Sequence, residues 1–369
     1  MEHGAMSEIS KVWFIPVEDA APVEEQVRHL GVLIRRCGLV GSVPKGGGAT
    51  IKMHFGEEGN RGYIRPALVR AIADAITGCG CRVSVSDTNT LYRGRRTNSR
   101  DHLQLAREHG FHDGATGGSV EIPDETEPGT VVSAVVENGK FFSEVKVMRA
   151  YMDTAFLLGL AHFKGHMVSG FGGALKNIGM GCAAREGKLA QHASVAPYII
   201  MKNCIGCGAC RRVCPADAVE VVNGKATLDP QKCIGCASCI AACKSDAVEL
   251  DWSGGAGSLP EKMVEYAGAV LRAPGKKWFV NVVTKVTAEC DCMAGDDPSI
   301  VPDVGMLISE DPVAVDQASY DLVCRKAGGY DPFRKAHPRR DGLRQLDYAE
   351  RMGIGRRRYE LITVDTERK

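Results

Sequence analysis

Apolar positions in the N-terminal half alternate between two periods. The runs KVWFIPV (11–17), ATIKMHF (49–55) and RVSVSDT (82–88) have the length and residue types of strands. Between them, residues 18–37, 63–76 and 99–109 space their apolar side chains three and four apart, as a helix with one buried face does. Pro66 stands near the start of the second helix, Gly78 and Gly80 end it, and Gly110 closes the third. The run PKGGG (44–48) reads as a loop. TVVSAVV (130–136) and FFSEVKV (141–147) flank Asn138-Gly139, a hairpin signal. TAFLLGLAHF (154–163) is almost wholly apolar, which suits a strand covered on both faces. Late in the chain, 259–271 and 311–326 read as helices, and KWFVNVV (277–283) and GMLIS (305–309) as strands.

This alternation predicts an α/β fold, a mostly parallel sheet with helices on both faces. The pattern is interrupted after Pro197, where the chain turns cysteine-rich until about Asp251. The economical division is an α/β domain in two parts, 1–196 and 253–369, with a small α+β insertion at 197–252. SGGAGS (253–258) forms the exit linker. Two independent α/β domains are the alternative.

The chain has 369 residues, 44% hydrophobic and 25% charged, the profile of a globular protein. Its 46 basic and 45 acidic residues nearly cancel, which gives no electrostatic basis for a nucleic-acid or membrane partner. The opening MEHGAMSEIS lacks the basic start and apolar stretch of a signal peptide, and no apolar run is long enough to span a bilayer. A cytoplasmic protein is expected.

Eight of the 15 cysteines fall between Cys204 and Cys243, at gaps of two and three residues within each run. Such spacing reads as metal ligation rather than disulfides. The runs are Cys204-x2-Cys207-x2-Cys210-x3-Cys214-Pro215 and Cys233-x2-Cys236-x2-Cys239-x3-Cys243. In this pattern the fourth cysteine serves the other cluster. One [4Fe–4S] cluster is expected on Cys204, Cys207, Cys210 and Cys243, and a second on Cys233, Cys236, Cys239 and Cys214. Zinc sites more often pair two C-x2-C units. The runs are also a repeat, CIGCGACRRVCPADAVEV against CIGCASCIAACKSDAVEL, and the Asp-Ala-Val after each run is expected to begin a short strand. Lys244 stands where the first run has proline. The module resembles the two-cluster bacterial ferredoxin domain.

The flanking segments IKMHFGEEGN (51–60), SDTNTLYRGRRTN (86–98), HFKGHMVSGFGGALKNIGMG (162–181) and DVGMLISEDPVAVDQASYDLV (303–323) resemble the uncharacterised iron–sulfur centre proteins, a domain-of-unknown-function family (DUF362). That resemblance implies an α/β fold carrying an inserted ferredoxin module. The segment from His166 through Gly170, Phe171, Gly172 and Gly173 to Lys176 is similar to a histidine–glycine–lysine motif of the lactate racemase family, although the motif's serine is absent. That likeness implies a proton-handling role for His166, a cofactor anchor at Lys176 and a metal ligand at His192.

The residues themselves point to the same place. His162, Lys164, His166, Lys176, Arg185 and His192 surround a glycine-rich loop that enters a helix. Glycines allow close backbone approach, a helix N-terminus favours anions, and histidine moves protons near neutral pH. A solvated basic loop with glycines needed only for turns is the alternative. His54, with Glu57, Glu58 and Asn60, ends the second strand, where ligands bind in open α/β sheets. Arg93, with Arg95 and Arg96, is suited to hold a carboxylate or phosphate, or to be a solvated face. Cys290-Asp291-Cys292 can bind a metal with a third residue, act as a redox dithiol, or be structural.

Three functions fit. The first is an iron–sulfur oxidoreductase passing electrons to a small-molecule substrate or cofactor in the pocket, with a redox protein as its partner. The second is an electron carrier within a redox complex. The third is a racemase- or isomerase-like enzyme with a nickel-type cofactor. No G-x-G-x-x-G follows the first strand, so nicotinamide binding has no support.

Overall fold

The computed structural model describes residues 9–192, 196–250 and 257–365. The start of the chain and most of the expected linker at 253–258 lie outside the described residues. An eight-stranded sheet organises the rest, built from β1 (Ser10–Pro16), β2 (Gly48–Lys52), β3 (Arg82–Ser86), β4 (Ser119–Glu121), β5 (Phe156–His162), β6 (Lys276–Val283), β7 (Gly305–Ser309) and β8 (Tyr359–Thr363). The order across the sheet is β8-β1-β7-β6-β5-β2-β3-β4. The run from β6 through β5, β2 and β3 to β4 is parallel. β7 is antiparallel to both β6 and β1, and β8 pairs parallel with β1. Strands from both flanking segments share this one sheet, so they form one α/β unit.

Side chains alternate across a strand, and the central strands are apolar at nearly every position, so both faces must be covered. Leu157, Phe279 and Leu307 face one core, with helix Leu259–Leu271 and helix Pro312–Lys326 over them. Leu158, Val280 and Ile308 face the other, under helix Val23–Cys37 and helix Pro66–Thr77. The first helix starts at Val23 rather than at residue 18. Pro22 restricts the residue before it to extended backbone, and Ala20 sits in the left-handed region at φ 55°. Glu24 and Glu25 at its start and Arg35 and Arg36 at its end complement the helix dipole. The expected hairpin forms from Val131–Val135 and Glu144–Met148, with Asn138 at φ 58° in its turn.

The cysteine-rich segment folds into its own small pieces. Tyr198–Ile199 pairs with Val248–Glu249, and Val219–Val222 pairs with Lys225–Leu228. Helices Ala209–Arg212 and Ser238–Ala242 carry the third cysteine of each run, Cys210 and Cys239. Strands begin at Val219 and Val248, after each Asp-Ala, and Asp217 (φ 47°) and Asp246 (φ 52°) make the matching left-handed turns.

Candidate functional site

The carboxyl ends of β2, β3, β5 and β6 lie side by side, and their following loops converge. Lys52, the last residue of β2, is 1% exposed, and a buried ammonium requires an anion. Asp87, just beyond β3, supplies it at 3.0 Å. Lys52 also donates to the carbonyl of Met53 (2.8 Å) and to Asn177 Oδ1 (3.3 Å). Burial opposes ionisation of Asp87. Lys52 and the neighbouring His54, His102 and Arg96 outweigh it and hold the carboxyl far below the usual range.

Arg96 is also buried. It binds Glu57 at 2.9 Å, approaches His54 Nε2 at 2.9 Å and bonds to the Tyr92 hydroxyl. His54 Nδ1 accepts from the Gly56 amide at 2.8 Å, so donors meet both ring nitrogens and the imidazolium is excluded. Burial, then Arg96, accordingly holds His54 well below the ordinary imidazole value.

The loop carrying Cys290, Asp291 and Cys292 lies against these residues. Asp291 is paired with His162 Nδ1 (2.8 Å) and Lys164 Nζ (2.5 Å). Its carbonyl accepts from Glu57 N (3.1 Å), and the Cys292 carbonyl accepts from the Tyr92 hydroxyl (3.0 Å). Cys290 and Cys292 are joined by a disulfide. His166, Cys290 and Cys292 offer ligand atoms within 4.8 Å of one another, a grouping able to hold a metal if the two sulfurs are reduced.

The glycine-rich segment makes a small hairpin, Lys164–His166 with Gly170–Gly172, and then enters helix Ala174–Gly179. Gly170 turns the chain at φ 80°, and a side chain there would meet the Gly342 backbone at 2.7 Å. A Cβ on Gly172 would lie 2.5 Å from Lys176 Cδ, and one on Gly173 would lie 2.2 Å from Asp316 Oδ1. The close approach expected for a ligand is therefore made by the protein itself. The same holds at the helix N-terminus. The amides of Ala174 (2.7 Å) and Leu175 (3.0 Å) bind the buried Asp316 carboxylate, which also accepts from Asn281 (2.7 Å).

That capped helix carries Lys176. Its ammonium has no hydrogen-bond or ion-pair partner among the described residues, and burial lowers its pKa to about 8. Two histidines lie in its field. Burial, then Lys176, holds His166 well below the ordinary value and brings His192, at the end of helix Arg185–His192, to about 4. Lys188, one turn earlier in that helix, donates to Thr88 Oγ1 (2.6 Å) and to the Asn89 carbonyl, and burial lowers it to about 8 as well. The structure thus sets His166 beside Cys290 and Cys292, with His54 and Lys176 in the field of Asp291 and His192 in the fields of Lys176 and His166. Arg93 instead reaches away, to Asp246 and to the carbonyl of Lys244 in the cysteine module.

Within the module, Cys204, Cys207, Cys210 and Cys243 line a cavity of about 310 Å³. Cys233, Cys236, Cys239 and Cys214 line another of about 320 Å³. All eight thiols are free, and the fourth cysteine of each run faces the cavity of the other. Amides of Ala226 (3.2 Å), Ala218 (3.2 Å) and Ala247 (3.3 Å) point at the sulfurs of Cys204, Cys214 and Cys243. Leu91 and Leu189 pack into the module's core, tying it to the pocket loops.

Lys52, Lys188 and Asp316 carry much of this site and were not singled out by motif. A charged residue inside an otherwise apolar run, as with Lys52 in ATIKMHF, was the available signal.

An open, mostly parallel α/β sheet with polar loops converging beyond its strand ends, interrupted by a cysteine-rich module, defines the class. The domain of unknown function DUF362 matches residues 50–321, and the chain belongs to that family. A Thermotoga maritima protein solved by a structural genomics consortium is similar, with TM-score 0.43 and 9% identity over 85% of this chain and 60% of that one. Lactate racemase apoprotein from Thermoanaerobacterium thermosaccharolyticum is similar with TM-score 0.39 and 13% identity, over 74% of this chain and 51% of that one. The chain thus spans between half and three fifths of the length of those two structures. No curated protein matches it. No helix among the described residues is long and apolar enough to cross a membrane.

Proposed function

We propose that the chain is an iron–sulfur oxidoreductase that holds two [4Fe–4S] clusters and acts on a small anionic molecule in the α/β pocket. One observation carries the first half: each module cavity is lined by three cysteines of one run and the fourth of the other. That crossing is what two clusters sharing two runs require, and zinc pairs do not. The residues fit the group in a second respect, since amides aimed at the Cys204, Cys214 and Cys243 sulfurs are the donors that cluster-bound sulfurs accept. A cluster so held supplies one-electron transfer at a potential set partly by such hydrogen bonds. The exposed Ile205 and Ile234, beside the two cavities, suit docking of a redox protein that delivers the electrons.

The pocket half rests on Lys176. A partly buried ammonium with no ion-pair partner among the described residues favours a carboxylate or phosphate on the bound molecule. His192, neutral at physiological pH, is suited to accept a proton from it, whereas His54 is tied to Arg96 and His166 Nδ1 is already met by two amides. Anaerobic purification with metal and sulfide analysis tests the reading. The expected result is about eight irons and eight acid-labile sulfides per chain. Zinc in their place, or no labile sulfide, refutes the cluster assignment, and stoichiometric nickel favours the racemase-like alternative.

A further inference from the structure

We propose that Cys290 and Cys292 are a redox-active pair that exchanges two electrons with a small dithiol. The inference does not rest on the cluster assignment, because it uses only residues of the α/β unit.

Four observations carry it. The pair forms a disulfide, while the other thirteen described cysteines are free. Cys290 lines a recess open to solvent together with Asn60, Lys164 and Met293, the side from which a small molecule would approach the pair. The loop is held from both sides. Asp291 is clamped by His162 and Lys164, the carbonyls of Asp291 and Cys292 are bound by Glu57 and Tyr92, and Asn60 holds the Gly295 carbonyl at 2.9 Å. None of these contacts involves a sulfur, so the loop keeps its shape and the sulfurs stay adjacent when the bond is cut.

The fourth observation concerns His166 and separates a dithiol from a metal site. The amides of Val168 (3.2 Å) and Ser169 (3.0 Å) both donate to His166 Nδ1. The ring proton therefore sits on Nε2, the nitrogen that these amides leave open. A metal needs a lone pair there, with the proton on Nδ1, where it would confront two amide hydrogens. A sulfur carrying negative charge accepts the Nε2–H instead.

The chemistry balances without a further reactant. One thiolate of the dithiol attacks Cys290 Sγ, the Cys290–Cys292 bond breaks, and Cys292 leaves as a thiolate beside the His166 N–H and is then protonated. The second thiol of the reagent loses its proton and attacks the mixed disulfide. Cys290 is released and protonated, and the reagent departs as a cyclic disulfide. Two electrons and two protons have moved to the pair.

The test uses the full chain, purified without oxygen and equilibrated with reduced and oxidised dithiothreitol at a series of ratios. After acid quench and alkylation, mass spectrometry reads the label on Cys290 and Cys292. Both cysteines are expected to gain label together along one reversible two-electron transition. In His166→Gln the rate of exchange should fall about tenfold or more. The wild-type transition alone decides the proposal, and the variant reads the part of His166. Two results overturn it: full labelling at every ratio, or permanent protection with a stoichiometric non-iron metal that is lost in Cys290→Ser. Iron and sulfide content, measured on the same samples, reports separately on the module.

Discussion

Replacing Asp316 probes how the pocket is held. Its carboxylate accepts three hydrogen bonds in a fully buried place, from the amides of Ala174 and Leu175 and from Asn281 Nδ2, at 2.7–3.0 Å. Asp316→Ala removes the acceptor and leaves three donors dry. An orphaned buried donor costs about 1–3 kcal/mol, and because the three share one acceptor their penalties do not simply add, so about 3–5 kcal/mol is expected. Asp316→Asn keeps one oxygen but turns an amide toward one of the donors, and should cost about 1–3 kcal/mol. Against a typical total of about 5–15 kcal/mol, the alanine variant is severely weakened but still measurable in the cold. Urea unfolding gives the numbers, with an unchanged m-value confirming that the midpoint reports stability. The same helix carries Lys176, so acetylation of that lysine by acetic anhydride should quicken in both variants, more in alanine than in asparagine. An alanine variant within about 0.5 kcal/mol of wild type would refute the claim that Asp316 fixes this helix.

Other expectations follow from the site. Lys176, lowered by burial to about 8, should lose its charge as pH rises through that value, so its acylation rate should inflect near pH 8 and anion binding should weaken above it; an inflection above pH 10 contradicts this. Cys243→Ser should cost the cluster that also uses Cys204, Cys207 and Cys210, and Cys214→Ser the other, each leaving about four irons on the chain. Loss of the cluster belonging to the mutated run itself would disprove the crossing. Arg96→Ala strands the buried Glu57 and should destabilise by about 3–5 kcal/mol, whereas Arg93→Ala breaks an exposed pair with Asp246 and should cost less than about 1 kcal/mol. Thermal or urea unfolding of the two variants side by side distinguishes them.

The strands with unbroken apolar runs were legible because both their faces are buried, and β5 and β6 stand close to where the pattern put them. β8 was not. Tyr359–Thr363 lies at the sheet edge, with Glu360 among its residues and three arginines just before it, so no alternation marks it. The cysteine runs were legible as a repeat because their spacing is local. The pocket was readable only in part. His166 and Lys176 sit in a recognisable loop, but what they do depends on distant residues. Nothing near Lys52 announces that Asp87, thirty-five residues later, will neutralise it, and nothing near Gly173 announces Asp316. The tautomer of His166 likewise depends on where two backbone amides point, which composition does not encode.

The pairing of Tyr198–Ile199 with Val248–Glu249 brings the entry and exit of the cysteine module together. The module therefore enters and leaves the host through one zipped pair of strands, beside the contacts that Leu91, Leu189 and Arg93 make with it. A tight turn joining the two stalk strands could replace everything between them and leave each backbone bond of the eight-stranded sheet in place. Gain or loss of the module in an ancestor would have demanded only one splice, with repacking confined to the contacts of Leu91, Leu189 and Arg93.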